Sequence, residues 1–327
     1  MKKIIVDAMG GDNGSSIVCE AVIDFLNENK DVEVCVVGRK EELTSLENKC
    51  RIIDARDIVP MEAGALQVLR LKNSSMMVAI KTMKEEGYDA VVSAGSTGGF
   101  LSAATITLKM IPGVKRAALV APFPAQIKGK KVVILDIGAN NENSPEELVQ
   151  FATMGRLYSQ TVYGIEEPKV YLLSNGTEEE KGAPEVKQAH KLLKESNFPG
   201  FKGNIEARNA LNGQADVVVA DGFTGNIFLK GSEGIAKFMG NMIKGMFKKN
   251  LWTKLGYLHV KGGIKELTET MDYKSTGGAM LLGVNGNVIK AHGNSDAYSF
   301  KHALIVAKKL SMANVVEKIK EGMKIDE

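Results

Sequence analysis

Lys2-Lys3-Ile4-Ile5-Val6-Asp7-Ala8-Met9-Gly10-Gly11-Asp12 opens the chain, and an amphipathic run begins at Ser15 directly after it. A short β-branched run, a glycine turn and a helical pattern read as strand, loop and helix. The same order recurs along the chain. Residues 4–7, 32–37, 90–93, 131–136, 170–174 and 217–220 read as strands, and residues 15–27, 75–86, 97–109, 145–159, 184–194 and 226–246 as helices. Val- and Ile-rich strands alternating with amphipathic helices predict a three-layer α/β fold, a mostly parallel sheet with helices on both faces. The end of the chain departs from that rhythm. Two short strands within 278–290 flank Val284-Asn285-Gly286-Asn287, and Asn-Gly signals a tight hairpin. A helix over 296–310 then closes the fold. With no repeat and no Pro/Ser-rich linker, residues 1–327 are expected to form one α/β domain or two intimately packed lobes.

Composition narrows the class of function. Hydrophobic residues make up 44% and charged residues 25% of the 327, as in ordinary globular proteins. A net charge of +3 is too small to argue for nucleic acid. Cys19, Cys35 and Cys50 form no C-x-x-C pair and read as reduced thiols. The apolar run after Met1 is too short for a signal peptide, and no stretch reaches the roughly 18 apolar residues of a membrane span. The expected location is the cytoplasm.

In open parallel sheets ligands sit beyond the carboxyl ends of the strands, which directs attention to the glycine-rich loops there. Asp7, Gly10 and Gly11 belong to the first such loop, where free backbone N–H groups before a helix suit an anion, or an aspartate simply holds a tight turn. Ser93-Ala94-Gly95-Ser96-Thr97-Gly98-Gly99 is the second. Ser96 or Thr97 can cap the next helix or touch a tetrahedral ligand, with Gly98 leaving the backbone open. Asp136 and Asn140 bound the third loop and either orient a substrate or close the turn. Asp221-Gly222-Phe223-Thr224-Gly225-Asn226 is the fourth, with Thr224 and Asn226 at a helix start. Ser275 to Ala279 and His292-Gly293-Asn294-Ser295-Asp296 supply the last cluster, in which His292 is a catalytic or a structural histidine. No nucleophile elbow, H-E-x-x-H or Cys/His metal spacing is present. Several donor-rich loops together point to an oxyanion or phosphate.

A different chemistry marks about 235–265, read as a projecting basic and apolar helical segment. No acidic residue lies between Glu233 and Glu266, whereas Lys248 and Lys249 sit beside Leu251, Trp252 and Leu255. Such a stretch suits an anionic membrane surface or an acidic partner. It equally suits a helix whose apolar side packs inside the protein or in a dimer.

The loops Asp7 to Asp12, Ser93 to Gly99, Asp136 to Asn140, Gly222 to Asn226 and Ala291-His292-Gly293 resemble, in order and spacing, those of the bacterial phosphate acyltransferases. The resemblance runs from the first strand to the final helix. It implies a fold related to phosphotransacetylases and isocitrate-type dehydrogenases, a homodimer, and peripheral membrane association. It further implies transfer of a fatty acyl group from acyl carrier protein to inorganic phosphate, feeding phospholipid synthesis, with no metal or organic cofactor. Glu180-Lys181-Gly182 resembles a family loop with a lysine near the active site, so Lys181 joins Asn226 and His292 as catalytic candidates. Phosphate positioning falls to Ser96, Thr97 and their loop amides.

Overall fold

The computed structural model describes residues 1–271 and 277–324. Its first half contains β1 (Lys2–Asp7), α1 (Gly14–Glu28), β2 (Val32–Gly38), β3 (Arg51–Asp54), α2 (Ala65–Arg70), α3 (Ser75–Glu86), β4 (Ala90–Ser93) and α4 (Thr97–Leu108). The middle adds β5 (Ala118–Pro124), β6 (Lys131–Leu135), α5 (Pro145–Tyr163), β7 (Val170–Ser174), α6 (Pro184–Glu195), β8 (Phe201–Glu206) and β9 (Val217–Val219). Two long helices follow, α7 (Gly222–Lys248) and α8 (Leu251–Met271). Then come β10 (Ala279–Leu282), β11 (Asn287–Lys290), α9 (Ala297–Ala313) and α10 (Val315–Met323). Ser275 and Thr276, named above, lie outside the described residues.

All eleven strands join one sheet in the order β3-β2-β1-β4-β11-β10-β5-β6-β9-β7-β8. Strand alternation sends Ile4 and Val6 to one face and Ile5 to the other. The core on the first face includes Phe25 of α1, Phe151 of α5 and Phe300 of α9. That on the second includes Met76 of α3 and Phe100 of α4, with Phe228 and Leu229 of α7 packed further along. The three-layer, mostly parallel arrangement expected from the sequence is therefore present.

Among the described strands, only β10–β11, β10–β5 and β5–β6 pair antiparallel. These pairings reverse the chain direction across the sheet centre. Strands β1 to β4 and β11 run one way, while β6 to β9 run the other. The strand-end loops therefore form two sets that approach from opposite directions, and the register brings them together as the two edges of one central cleft, Lys290 pairing with Ser93 and Leu135 with Val120.

Strand β5 escapes a reading of the sequence because Pro122 and Pro124 argue against a central strand. Its pairing with β10 covers only Ala118 to Val120, so both prolines fall where that neighbour has ended. Their missing N–H groups cost no ladder bond on that side. Strand β8 is obscured by Gly203 and a register shift against β7, and β3 by its exposed, short edge position.

Candidate active site

At the first edge, Asp7 is fully buried at the end of β1. Its carboxylate accepts from the Ser75 hydroxyl at 2.6 Å, the Ser93 hydroxyl at 2.7 Å and the Met9 amide at 3.2 Å. Burial pushes its pKa up, and these hydrogen bonds oppose the shift. With its oxygens turned inward, Asp7 braces the loop. Gly10 lies against the second loop so closely that a Cβ there would stand 2.6 Å from Gly95 Cα. Ser96 is buried as the N-cap of α4, accepting from the Gly99 amide at 3.3 Å and donating to Ala63 O at 3.3 Å. Thr97 and Gly98 lie beyond it and line an open cavity.

The second edge repeats this construction with different partners. Asp136 is buried after β6 and accepts at Oδ1 from the amides of Leu119, Gly138 and Ala139 at 2.9 to 3.0 Å. Its Oδ2 accepts from the Asn140 backbone at 3.0 Å and side-chain amide at 2.7 Å. Burial again pushes this carboxyl up against the pull of the hydrogen bonds. Asn140 also donates to Ala117 O at 2.8 Å, so the pair closes the turn. A Cβ on Gly225 would stand 1.8 Å from Asp136 O, which lets the first turn of α7 lie directly on this loop. Asp221 caps that helix by accepting from the Thr224 amide at 2.9 Å. Asn226, one turn in, is exposed to the cavity.

Helix α7 connects the two edges across the second face of the sheet. Beneath it lies a cavity of about 750 Å³ whose lining includes Thr97, Gly98, Asn226, Lys290 and His292. Ala121 and Phe123 of β5, Leu211, and Leu229 and Ile235 of α7 give it apolar walls, and Gln126, Lys230, Ser232 and Glu233 add polar groups. His292 is held with its Nε2 3.9 Å from Oε1 of Glu233 on α7, and Glu233 Oε2 accepts from Lys230 at 3.0 Å. Burial lowers the His292 pKa, Glu233 opposing and Lys230 and Lys290 adding to the shift. The ring is therefore neutral near pH 7. Asp296 is spent as the N-cap of α9, accepting from the Ser299 amide at 2.9 Å.

Of the residues singled out from sequence, the fold brings Thr97, Gly98, Asn226 and His292 to one cavity. Asp7, Gly10, Gly11, Ser96, Asp136 and Asn140 lie in the loops behind them. Thr224 is exposed at the start of α7. Lys181 is exposed on the loop after β7 and does not line the cavity. Lys290, Lys230 and Glu233 were not singled out. The signal for Lys290 was slight, a lysine ending the apolar strand Val288-Ile289 just before His292.

The basic segment comprises the distal part of α7 and α8, with Phe247 and Tyr257 ring centroids 5.4 Å apart. Among the described residues, much of its apolar side is exposed. Ile235, Phe238 and Met242 are exposed along α7, and Trp252 is 81% exposed beside exposed Leu251, Leu255, Lys248 and Lys249. Among the described residues, no helix is long and apolar enough to cross a membrane.

The chain has the α/β fold found in phosphotransacetylases. The chain resembles a phosphotransacetylase from Streptococcus pyogenes with a TM-score of 0.63, at 19% identity, over 97% of this chain and 94% of that one. A branched-chain phosphotransacylase from Enterococcus faecalis gives 0.63 at 13% identity, over 95% and 99%. A 4-hydroxythreonine-4-phosphate dehydrogenase from Klebsiella pneumoniae gives 0.51 at 14%, over 99% and 100%. Sequence relatives are nearer. The phosphate acyltransferase of Wolinella succinogenes is 43% identical over 99% of this chain and 97% of its own length. That of Exiguobacterium is 42% identical, over 99% and 100%. The family model described as "Fatty acid synthesis protein" matches residues 2–318, and the chain belongs to this family of acyltransferases.

Proposed function

We propose that the chain transfers a fatty acyl group from acyl carrier protein to inorganic phosphate, giving an acyl-phosphate for phospholipid synthesis. The observation that carries this reading is the make-up of the cavity. It places the N-terminus of α4 and the polar groups Asn226, Lys290, His292 and Glu233 beside apolar walls from β5 and α7. A phosphate and an acyl thioester need those two environments side by side. The names of the sequence relatives support the same chemistry.

In this mechanism a phosphate oxygen attacks the thioester carbon, the tetrahedral intermediate loses the carrier thiolate, and the thiolate takes a proton. Phosphate near neutral pH is already nucleophilic, so the protein's task is positioning, which contributes several kcal/mol. Thr97 and the amides at the start of α4 hold the phosphate, where the helix dipole favours an anion. Ser96 acts through its cap, setting the pitch of that first turn. Asn226 donates to the developing oxyanion, a role worth roughly 3 kcal/mol per donor. Neutral His292 is a second donor to the oxyanion or the leaving thiolate, oriented by Glu233. Lys181 reaches this centre only if its loop moves or a second copy supplies it.

The exposed apolar line on α7 supports a homodimer. Beyond it, Lys248, Lys249, Leu251, Trp252 and Leu255 form a contact for acidic carrier protein, for anionic membrane, or for both in turn. Peripheral attachment would keep a lipophilic product where it is consumed.

The test is incubation of the purified protein with palmitoyl-acyl carrier protein and labelled phosphate, scoring a hydroxylamine-reactive product. Phosphate-dependent acyl-phosphate is expected. Product from acyl-coenzyme A alone would reassign the donor, and no product from either would end the proposal.

A further inference from the structure

Lys290 ends β11 with only 7% of its surface exposed, yet it lines the cavity. Its ammonium donates to Ala94 O at 3.3 Å and to Ala291 O. Both acceptors are neutral carbonyls, which leaves the third donor free. Among the described residues, none of the ion pairs includes Lys290. The carboxylates that act on it from a distance are Asp7, already held by two serines, and Asp12. Lys230 of α7 repels it. Burying an ammonium with no carboxylate in contact is costly, and a methionine would fill the same strand position without that cost. A site that retains the cation gains from an anion that arrives later.

That anion's place is marked by a second feature. Ala94, which holds the ammonium, stands two residues before the N-cap of α4, and Thr97 and Gly98 of that helix line the same cavity as Lys290. Open amides at the start of a twelve-residue helix and a buried ammonium therefore border one space. We infer that Lys290 is the cationic half of the phosphate subsite, gripping the attacking phosphate against the N-terminus of α4. This assignment rests on the reaction proposed above and names the residue that selects phosphate as its nucleophile. The two carbonyls, just beyond the ends of β4 and β11, fix the ammonium, so little side-chain freedom is lost when phosphate enters.

Burial lowers the Lys290 pKa to about 8, Asp12 and Asp7 opposing and Lys230 adding to the shift. His292 and Glu233 are the other titratable groups lining this end of the cavity. The amine is charged at neutral pH and loses its proton just above it, so phosphate affinity falls as pH rises through that value.

The experiment uses the full chain and its Lys290→Met variant. Inorganic phosphate is titrated calorimetrically into each, and KM is measured separately for phosphate and for acyl carrier protein. A charge-assisted hydrogen bond of about 1.5–3 kcal/mol corresponds to about a tenfold to a hundredfold weaker phosphate Kd in the variant. The KM for acyl carrier protein should not change. Thermal unfolding checks that the variant folds. If it does not, wild-type phosphate affinity from about pH 7 to about pH 10 decides the matter, a fall being expected and a flat profile overturning the assignment. Equal phosphate binding by wild type and variant overturns Lys290 and leaves the reaction standing. A defect confined to the carrier-protein KM places Lys290 on the donor and overturns it too. A wild type that neither binds nor consumes phosphate removes the reaction and the inference together.

Discussion

The two edges of the sheet solve one problem with different materials. Each buries an aspartate at a strand end, and each packs a glycine against the neighbouring backbone, Gly10 on Gly95 and Gly225 on Asp136. At the first edge the aspartate is held chiefly by hydroxyls, and the cavity beside it receives a buried ammonium, a helix N-terminus and a histidine. At the second edge the aspartate is held wholly by N–H groups, and the cavity receives the uncharged amide of Asn226. The first edge is suited to binding a charged group already present. The second is suited to stabilising charge that appears only during reaction. An enzyme that brings phosphate to an acyl group needs both in one cavity.

Removing the donor at each end sharpens this division most. Asn226→Ala should lower kcat about a hundredfold, the value of one oxyanion donor, with the phosphate KM little changed. Lys290→Met should do the reverse. A raised phosphate KM in Asn226→Ala would break the comparison.

A smaller effect separates the two aspartates. Asp136→Asn sets an amide NH₂ against N–H donors that cannot turn round, and should cost about 1–3 kcal/mol in urea unfolding. Asp7→Asn faces the Ser75 and Ser93 hydroxyls, which can reverse to accept, and should cost less. Burial also raises the Asp7 pKa in the fold. The stability tied to that raised value is fully present below the unfolded pKa and is lost as pH rises through the folded one. Asp7→Asn removes that loss, so its deficit against wild type should be smaller at neutral than at acid pH. Equal costs at the two positions would show that the partners' chemistry does not matter.

The smallest effect on turnover belongs outside both edges. Trp252→Glu with Leu255→Glu should leave kcat in solution within about twofold, since neither residue lines the cavity. The same pair should abolish flotation with anionic liposomes. Unchanged flotation would remove the membrane role and leave the carrier-protein role.

Much of this molecule is written locally in its sequence. Glycine turns after Val- and Ile-rich runs, a cap at Ser96 or Thr97, and the Asn285-Gly286 hairpin are short-range signals, and the structure has the cap at Ser96 and the hairpin in place; the helix expected from 226 begins earlier, at Gly222, because Asp221 caps it. A run of seven lysines with no acid between Glu233 and Glu266 likewise announces a basic surface. Family membership follows from the same loops in order. Tertiary structure alone decided the rest. The reversal of strand direction depends on β10 and β5 pairing side by side, segments far apart in the chain, and the prolines of β5 hide it. Whether Asp136 touches substrate or braces a turn depends on how many donors surround it. The burial of Lys290 depends on Ala94, brought beside it from nearly two hundred residues away. Local sequence sets what each segment can form, but charge, burial and hydrogen-bond supply at a site are sums over neighbours that only the folded chain assembles.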